Sequence, residues 1–352
     1  MRVQRSGHRA PFRYGVLSRR EFVKAAATAG AAAMLPSCVS PSLLDGGLTA
    51  EVAILEAAGY DDGLLEVIES GFELVPPPDV TGKRVVLKPN LVDLPLDDKP
   101  SVTNPAVIAA AAEAFRRRGA GEVIVADGPA LRRDAMEVVD GSGLATVLRE
   151  HDLEFVDLST DTVVRLPNAG GVSPDSHLFF GQTAVTADVL VSMPKMKTHH
   201  WAGASLSLKN MYGAVSGVVY GWPRNRFHLQ QLHPAVPDFN LTLAPDYAIV
   251  DGVVGLQGDG PILGEPIDVG AIVMGDNLTA VDATCARIMN LDPYRIAYLF
   301  FALARLGPLS EAGITQRGVS IDTVATSFDI LPHLAALRPG GGTGDTDVGT
   351  VI

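Results

Sequence analysis

Short strand-like runs alternate with helical patterns along most of this chain, and that alternation restricts the fold more than any other feature. The runs are Val52–Leu55, Arg84–Leu87, Glu122–Ala126, Glu154–Leu158, Val189–Met193, Tyr247–Val250 and Val269–Met274. Several are apolar throughout, which is typical of strands covered on both faces of a sheet. The alternation predicts an α/β fold with a mostly parallel sheet flanked by helices. The chain is long enough for one large domain or for two lobes with a crevice between them.

Helix boundaries are marked by caps and breakers. Asn104 followed by Pro105 is typical of a helix start, because Asn caps free N–H groups and Pro suits the first turn. Gly119 predicts the end of that helix, and Gly141-Ser142-Gly143 predicts a break inside the next one. The predicted helices are 105–118, Met136–Glu150 with this break, Leu278–Met289 and Pro293–Arg305.

Two segments and both ends of the chain fall outside the alternation. Residues 161–177 and 213–245 are rich in Gly and Pro, so we expect them to be irregular, and the second carries His228 and His233. The sequence divides into an export signal (1–38), a linker (39–50), an α/β domain (51–335) and a disordered tail (336–352).

The N-terminal segment resembles a twin-arginine export signal. Ser18-Arg19-Arg20-Glu21-Phe22-Val23-Lys24 precedes an Ala-rich apolar stretch from Ala25 to Leu35. That stretch is too short to span a bilayer, which takes about 20 residues, but it suits the apolar part of a signal peptide. The alternative is a surface helix that contains two arginines. An export signal predicts passage through the twin-arginine machinery and a periplasmic or cell-envelope location.

Leu35-Pro36-Ser37-Cys38 resembles a lipobox, in which Cys38 would be lipidated after cleavage. A lipid at the mature N-terminus would tether a folded domain to the membrane without a spanning helix. The alternative is ordinary cleavage near Ala33, which would release a free protein. Because the twin-arginine route moves folded proteins, a cofactor loaded in the cytoplasm is one reason for its use, and fast folding is another.

Charge and cysteine content exclude several classes of function. The first 38 residues carry a net charge of +6, so the remainder carries −18 rather than the −12 of the whole chain. Such an acidic protein is a poor candidate for nucleic-acid binding, which depends on neutralising phosphates. Apart from Cys38 the sequence contains only Cys285. An internal disulfide, an iron–sulfur cluster with four thiolates and a cysteine zinc site are therefore excluded.

Lysines are concentrated where one strand-like run ends. Beyond residue 38 the sequence has 15 Arg but only 6 Lys. Three of these lysines follow Val189–Met193 within a short stretch: Lys195, Lys197 and Lys209. Lys is a compact and titratable ammonium that Arg does not replace, and basic groups gathered in an acidic protein favour an anionic ligand. The alternative is a chance cluster on a solvated loop.

Other strand ends also carry polar residues. They are Lys88-Pro89-Asn90, Asp127-Gly128, Asp251-Gly252 and the glycine-rich segment 255–264 with Gly258, Asp259 and Gly260. Carboxyl ends of parallel strands meet at one edge of a sheet, so these residues are expected to converge there. Gly258 and Gly260 would present backbone N–H groups to an anion, or form only a tight turn. Asp251 and Asp259 would suit a hard cation.

Taken in order, these motifs resemble the family called domain of unknown function 362. The resemblance covers roughly residues 50–310 and is carried by Lys-Pro-Asn (88–90), Asp-Gly-Pro (127–129), Pro-Lys-Met-Lys-Thr-His (194–199), Leu-Lys-Asn-Met-Tyr-Gly (208–213) and Gly-Asp-Asn-Leu-Thr-Ala-Val-Asp (275–282). The family name implies no activity. Some members carry a ferredoxin-like module, whose cysteines this chain lacks.

A shorter stretch, His199 to Lys209, is similar to one in the nickel-pincer lactate racemase family. That resemblance implies that His199 is an acid/base, that Lys209 anchors a pyridinium-derived nickel nucleotide, and that His228 is a metal ligand. The racemases also use a second catalytic His, and the matching place here, Asp127 to Arg133, contains none. This departure argues against two-base racemisation.

These observations predict an exported enzyme that acts on a small anion, carboxylate or phosphate, with a preloaded cofactor or metal. The expected catalytic residues are His199, Lys195 and Lys209. The expected substrate-binding residues are Lys88, Asn90, Lys197, Thr198, Ser205 and Asn210. The expected cofactor-binding residues are Lys209, Asp127, Gly128, Asp251, Gly258 and Gly260, and the expected metal ligands are His228 and Asp259. The alternatives are a non-catalytic, membrane-tethered binding lipoprotein and a purely structural envelope protein.

Overall fold

The computed structural model describes Asp45 and residues 47–61, 63–96, 99–129, 134–221, 225–303 and 305–340. Its strands are β1 Ala50–Glu56, β2 Arg84–Pro89, β3 Glu122–Asp127, β4 Glu154–Asp157, β5 Val163–Pro167, β6 His177–Gly181, β7 Val189–Met193, β8 Lys195–His199, β9 Gly203–Ser205, β10 Tyr247–Gln257, β11 Glu265–Gly275 and β12 Ile314–Gly318. All seven strand-like runs of the sequence lie within or across one of these strands.

Within the described ranges, ten strands form one mixed sheet, in the order β12-β1-β11-β10-β7-β2-β3-β4, with β8 and β9 attached beside β10. Neighbours from β10 to β4 are parallel, whereas β11 is antiparallel to both β10 and β1. Strand β8 runs parallel to β10, and β9 returns antiparallel to β8. β5 and β6 form a separate two-stranded sheet. The predicted α/β class with a mostly parallel sheet is confirmed.

The helices are α1 Leu64–Leu74, α2 Pro105–Arg117, α3 Ala135–Gly141, α4 Leu144–Glu150, α5 Gln182–Val185, α6 Ser207–Asn210, α7 Gly217–Tyr220, α8 Asn225–Gln230, α9 Leu232–Leu243, α10 Leu278–Ile288, α11 Ala297–Ala302 and α12 Ile321–Val324. Asn104 caps α2 as expected, because its side chain accepts a hydrogen bond from Ala106 N. The break at Gly141-Ser142-Gly143 separates α3 from α4.

The two faces of the sheet pack against different helices. In β2, Val85 and Leu87 pack into one apolar core with α1, α2 and α4, whereas Val86 packs into the other core with α9, α10 and α11. β7 and β10 alternate in the same way. Side chains of successive strand residues point to opposite faces, so a continuously apolar strand is buried on both sides.

Three expectations about local structure were wrong. The predicted helix Pro293–Arg305 is a 3-10 turn, Pro293–Arg295, followed by α11, which ends at Ala302. Residues 161–177 contain β5 and the start of β6, and residues 213–245 contain α7, α8 and α9. α9 forms despite Pro237 inside it, because Val236, Phe239 and Leu243 are buried in the core and tertiary packing outweighs local propensity.

The described residues from Asp45 to Gly340 form one compact unit and do not divide into two lobes. Asp45, within the predicted linker, is buried and accepts hydrogen bonds from Leu309 N at 3.0 Å and Ser310 N at 2.9 Å. The export signal and Cys38 lie outside the described residues, and the domain boundaries stay predictions. No helix in the described ranges is long and apolar enough to cross a membrane.

Candidate functional site

The segment that follows β7 is a buried strand and not a solvated loop. Pro194 interrupts the ladder because it has no N–H to donate, and its carbonyl accepts a hydrogen bond from Asp251 N at 2.9 Å. β8 then pairs with β10, and every residue from Lys195 to His199 is buried. The reactive side chains of this segment are therefore held on a strand that is covered by the rest of the domain.

A small cavity of about 70 Å³ lies at the carboxyl ends of β2 and β3, next to the β8–β9 hairpin. Its lining includes nine of the predicted site residues: Asn90, Asp127, Gly128, Lys197, His199, Ser205, Lys209, Asn210 and His228. Val92, Tyr212, Gly213 and Pro261 complete the lining. Parallel strands that end at one sheet edge thus bring together residues that are far apart in sequence, as expected.

Lys88 and Asp127 form a buried ion pair behind the cavity wall. The Lys88 Nζ lies 2.6 Å from Asp127 Oδ1 and donates to Asn210 Oδ1 at 3.2 Å. Asp127 Oδ2 accepts from Leu91 N at 2.7 Å. Gly213 leaves the space that this pair occupies, since a Cβ at this position would overlap Asp127 Oδ1. Lys88 therefore stabilises the wall and does not line the cavity itself.

Lys195 forms a second buried ion pair, away from the cavity lining. Its Nζ lies 2.6 Å from Asp251 Oδ2 and donates to the Tyr60 hydroxyl at 2.8 Å. Tyr60 in turn donates to Asp251 Oδ1 at 2.9 Å, and Asn104 N donates to Asp251 Oδ2 at 2.8 Å. Burial lowers the pKa of Lys195, and the Asp251 carboxylate opposes that effect. The network joins β8 and β10 to the start of α2.

Lys197 and Lys209 line the cavity, and neither has a carboxylate partner within the described ranges. Lys197 Nζ donates to two backbone carbonyls, Ser101 O at 2.6 Å and Pro261 O at 3.4 Å. Burial, and then the nearby Lys209 charge, hold the pKa of Lys197 well below its usual value.

Lys209 makes no hydrogen bond with any residue the structure describes. Its Nζ lies 5.7 Å from the centre of the Tyr212 ring, a cation–π contact. The side chain is 8% exposed. Burial, together with the Lys88 charge, lowers the pKa of Lys209 to about 8. A substantial fraction of this amine is consequently neutral near physiological pH.

His199 is held as a neutral imidazole. Its Nδ1 accepts hydrogen bonds from Trp201 N at 3.1 Å and Ala202 N at 3.2 Å. Burial, and then the Lys209 charge, hold the pKa of His199 well below its usual value. Because Nδ1 is an acceptor, the hydrogen-bond pattern assigns the ring proton to Nε2. His199 can therefore donate a hydrogen bond from Nε2 without becoming charged.

The glycine-rich segment after β10 uses its backbone groups within the protein. Gly258 N donates to Asp329 O at 2.8 Å, and Gly260 O accepts from His200 N at 2.9 Å. The Thr198 hydroxyl donates to Gly258 O at 2.9 Å. Thr198, Gly258 and Gly260 thus fix the β8–β9 hairpin against β10, outside the lining of the cavity.

The cavity is too small for a nucleotide-derived nickel cofactor. A volume of about 70 Å³ is several times smaller than the roughly 300–1,000 Å³ of typical small-molecule sites. The described part of the chain has no group of three His, Cys, Asp or Glu placed to hold a metal ion. His228 packs against Tyr212, with ring centres 4.7 Å apart, and Asp259 lies 3.7 Å from His200 Nδ1 at the surface. Their roles as metal ligands stay predictions.

Sequence reasoning did not assign roles to Tyr212, Tyr60 or Asp282. Tyr212 follows Lys209 in a motif that the sequence did single out, so its position near the site could have been found. Asp282 lies on α10 and accepts hydrogen bonds from Ser207 N at 2.7 Å and Leu208 N at 2.9 Å. This carboxylate caps α6, the short helix that carries Lys209. No local sequence pattern predicts a helix cap whose accepting carboxylate is so distant in the sequence.

Several known proteins are similar to this chain. A curated relative, "Thylakoid-associated protein sll1697" from Synechocystis sp., is 30% identical over 275 residues, which cover 73% of this chain and 79% of the relative. The lactate racemase apoprotein from Thermoanaerobacterium thermosaccharolyticum matches with 13% identity and a TM-score of 0.43 over 69% of this chain and 57% of the racemase. A Thermotoga maritima protein matches with 15% identity and a TM-score of 0.35 over 57% of this chain and 52% of that protein.

This chain spans little more than half the length of the two solved structures, and at these TM-scores nothing about chemistry follows from them. The sequence family described as "Domain of unknown function (DUF362)" matches residues 85–287, more than half of the chain. The matched range contains every residue that lines the cavity. The chain is therefore a member of the DUF362 family.

Proposed function

We propose that this protein is an enzyme that acts on a small anionic molecule bound in the cavity, with Lys209 and His199 facing the bound molecule. The observation that carries the proposal is the environment of Lys209. Its ammonium group is buried at the cavity wall without a hydrogen-bond acceptor among the residues described. A buried, unpaired cation is costly, and a bound anion would offset that cost.

The balance of charge around the cavity supports an anionic ligand. Lys88, Lys195, Lys197 and Lys209 are all buried in this region, but among the residues that the structure describes only two buried carboxylates pair with them. Both carboxylates are already engaged, one with Lys88 and the other with Lys195. Lys197 and Lys209 therefore remain without a carboxylate partner in that part of the chain, and their N–H groups can donate to a bound carboxylate or phosphate at short range and in a low-dielectric environment.

His199 gives this site a neutral donor beside two amines. In the assigned tautomer, Nε2–H would stabilise a developing negative charge on a ligand oxygen by donating a hydrogen bond. The same tautomer favours one alternative, a non-catalytic binding protein, because Nε2 already carries its proton and is not a ready base.

Binding is tested by thermal unfolding of the purified mature protein with acetate, lactate and phosphate at neutral pH. The proposal expects a concentration-dependent rise in Tm that Lys209→Met abolishes and Lys83→Met, a change at an exposed lysine, does not. No rise with any small anion would refute the proposed site. His199→Gln separates the two functions: an enzyme loses turnover of an isotope-labelled ligand, whereas a binding protein keeps its affinity and shows no turnover in either form.

We also propose that the protein works outside the cytoplasm, at a membrane or in the cell envelope. The twin-arginine-like segment and the thylakoid-associated relative support this location. Replacing Arg19 and Arg20 with Lys should retain the protein in the cytoplasm of a host with the twin-arginine pathway, measured by fractionation. Cys38→Ser should then distinguish a lipid-anchored protein from a free one, through loss of membrane association. If the double-lysine variant is still exported, the proposed route is wrong.

A further inference from the structure

Lys209 differs chemically from the other buried lysines at the site. Lys88 and Lys195 each contact a carboxylate at 2.6 Å, and Lys197 donates to two carbonyls. The Nζ of Lys209 has no such acceptor within the described ranges, and it lines the cavity. An amine nitrogen is a nucleophile when it is deprotonated and its lone pair is not engaged by a hydrogen-bond partner.

Burial supplies the neutral amine. With a pKa of about 8, roughly one Lys209 side chain in ten is deprotonated at pH 7, against about one in three thousand for an ordinary lysine. Lys83, which is exposed and paired with Asp79, provides an exposed lysine for comparison. The cavity thus combines a nucleophilic amine with the hydrogen-bond donor of Lys197 and the Nε2–H donor of His199.

We propose that Lys209 forms an imine with a small aldehyde or ketone that carries a carboxylate next to its carbonyl group. This inference rests on the proposed anion-binding function and names the ligand class of the same site. Lys197 would attract the carboxylate, and the cavity of about 70 Å³ restricts the ligand to a few non-hydrogen atoms.

The reaction is balanced without any further reactant. The Nζ lone pair attacks the carbonyl carbon, and the electron pair of the C=O bond moves to the oxygen; the nitrogen loses one proton and the oxygen gains one, which gives a carbinolamine. The hydroxyl then leaves with the second N–H proton as water, the C–O bond breaks, and the nitrogen lone pair forms the C=N bond to Lys209. One water molecule is released and nothing is oxidised or reduced. His199 Nε2–H is the neutral donor available to the oxygen while it carries charge.

Asn90 supports this chemistry from another part of the cavity lining. Its side-chain Oδ1 is buried and has no hydrogen-bond partner in the described part of the chain. Asn90 lines the cavity together with Lys209. An unfilled acceptor suits a ligand that brings its own donor, and the carbinolamine hydroxyl and the protonated imine nitrogen are both donors.

The experiment incubates the mature protein with glyoxylate or pyruvate and then traps any imine with borohydride. A trapped adduct blocks trypsin at Lys209, so the peptide from Thr198 to Arg224, which contains no other lysine, appears intact with the added mass. We expect the adduct at Lys209 to exceed that at Lys83 and Lys99 by about tenfold or more, from the larger neutral-amine fraction. Acetone, which lacks the carboxylate, should give far less adduct at Lys209.

Acetate and lactate separate this inference from the function on which it rests. If these anions raise the Tm through Lys209 but no adduct exceeds the level at Lys83, the imine is excluded and the anion site stands. If they have no effect and no adduct forms, both fail. An adduct that acetone gives as readily as pyruvate would overturn the requirement for a carboxylate.

Discussion

Replacing Lys209 with methionine should make this protein more stable at neutral pH, although the change removes the group on which the proposed function depends. The two side chains are similar in length, and Met fills apolar space without a charge. In the wild type, burial lowers the pKa of Lys209 from 10.5 to about 8. The folded state therefore holds the ammonium form less well than the unfolded chain does.

The pH dependence of the gain follows from that pKa difference. A folded pKa below the unfolded pKa destabilises the fold at low pH, and the penalty disappears only as the pH rises above 10.5. At pH 7 the penalty is about 3 kcal/mol, from a difference of about 2.5 pH units at about 1.4 kcal/mol each. At pH 9.5 about 1.4 kcal/mol remains, because most unfolded chains are still protonated there.

Urea unfolding of both proteins at pH 7 and pH 9.5, after dialysis against an anion-poor buffer, measures this difference. Lys83→Met provides the matched control, since Lys83 is exposed and its replacement should change the unfolding free energy by about 0.5 kcal/mol or less. A Lys209→Met variant that is no more stable than wild type at pH 7 would refute the inference that a buried, unpaired Lys209 ammonium destabilises the fold. A gain that does not shrink at pH 9.5 would point to packing and not to charge.

Three further changes test the scaffold around the cavity. Gly213→Ala would place a Cβ against Asp127 Oδ1, and we expect a loss of about 3 kcal/mol or more in urea unfolding, because breaking a buried ion pair leaves an uncompensated charge; a neutral effect would mean that the wall yields. Tyr60→Phe removes a donor to Asp251 and should cost about 1–3 kcal/mol, measured in the same way; an unchanged unfolding free energy would contradict the network. Burial raises the pKa of Asp282 from 3.8 to about 7, so its contribution to stability is present below pH 4 and is lost as the pH rises to 7. The advantage of wild type over Asp282→Asn should therefore shrink from pH 4 to pH 7 in urea unfolding, and a constant difference would show that Asp282 does not titrate in this range.

The parallel strands were predictable because a strand that is buried on both faces of the sheet has an apolar residue at each position. Val85, Val86 and Leu87 are all apolar since each packs into one of two cores, and that pattern is local. The same locality explains why the cap at Asn104 and the break at Ser142 could be located. Helix α9 escaped prediction because the contacts that outweigh its prolines come from distant elements.

The sequence predicted which residues lie at the site better than it predicted the role of each residue. Asn90, Asp127 and Lys197 could be placed together because parallel strands end at one edge, and this requires no knowledge of side-chain contacts. The assignment of Lys88 and Lys195 to ion pairs, and of Lys209 to an unpaired position, depends on which carboxylate lies within reach. Those partners are 39 to 56 residues away along the chain for the two pairs, a separation that no sequence pattern encodes.

Binding of an anion in the lysine-lined cavity should also be coupled to proton uptake. An anion that settles beside Lys209 and Lys197 raises the pKa of both amines, so binding draws protons from the solvent. Affinity should then weaken with rising pH, and the heat of binding should vary with the ionisation enthalpy of the buffer. A compartment that changes its pH would fill or empty this site at constant ligand concentration.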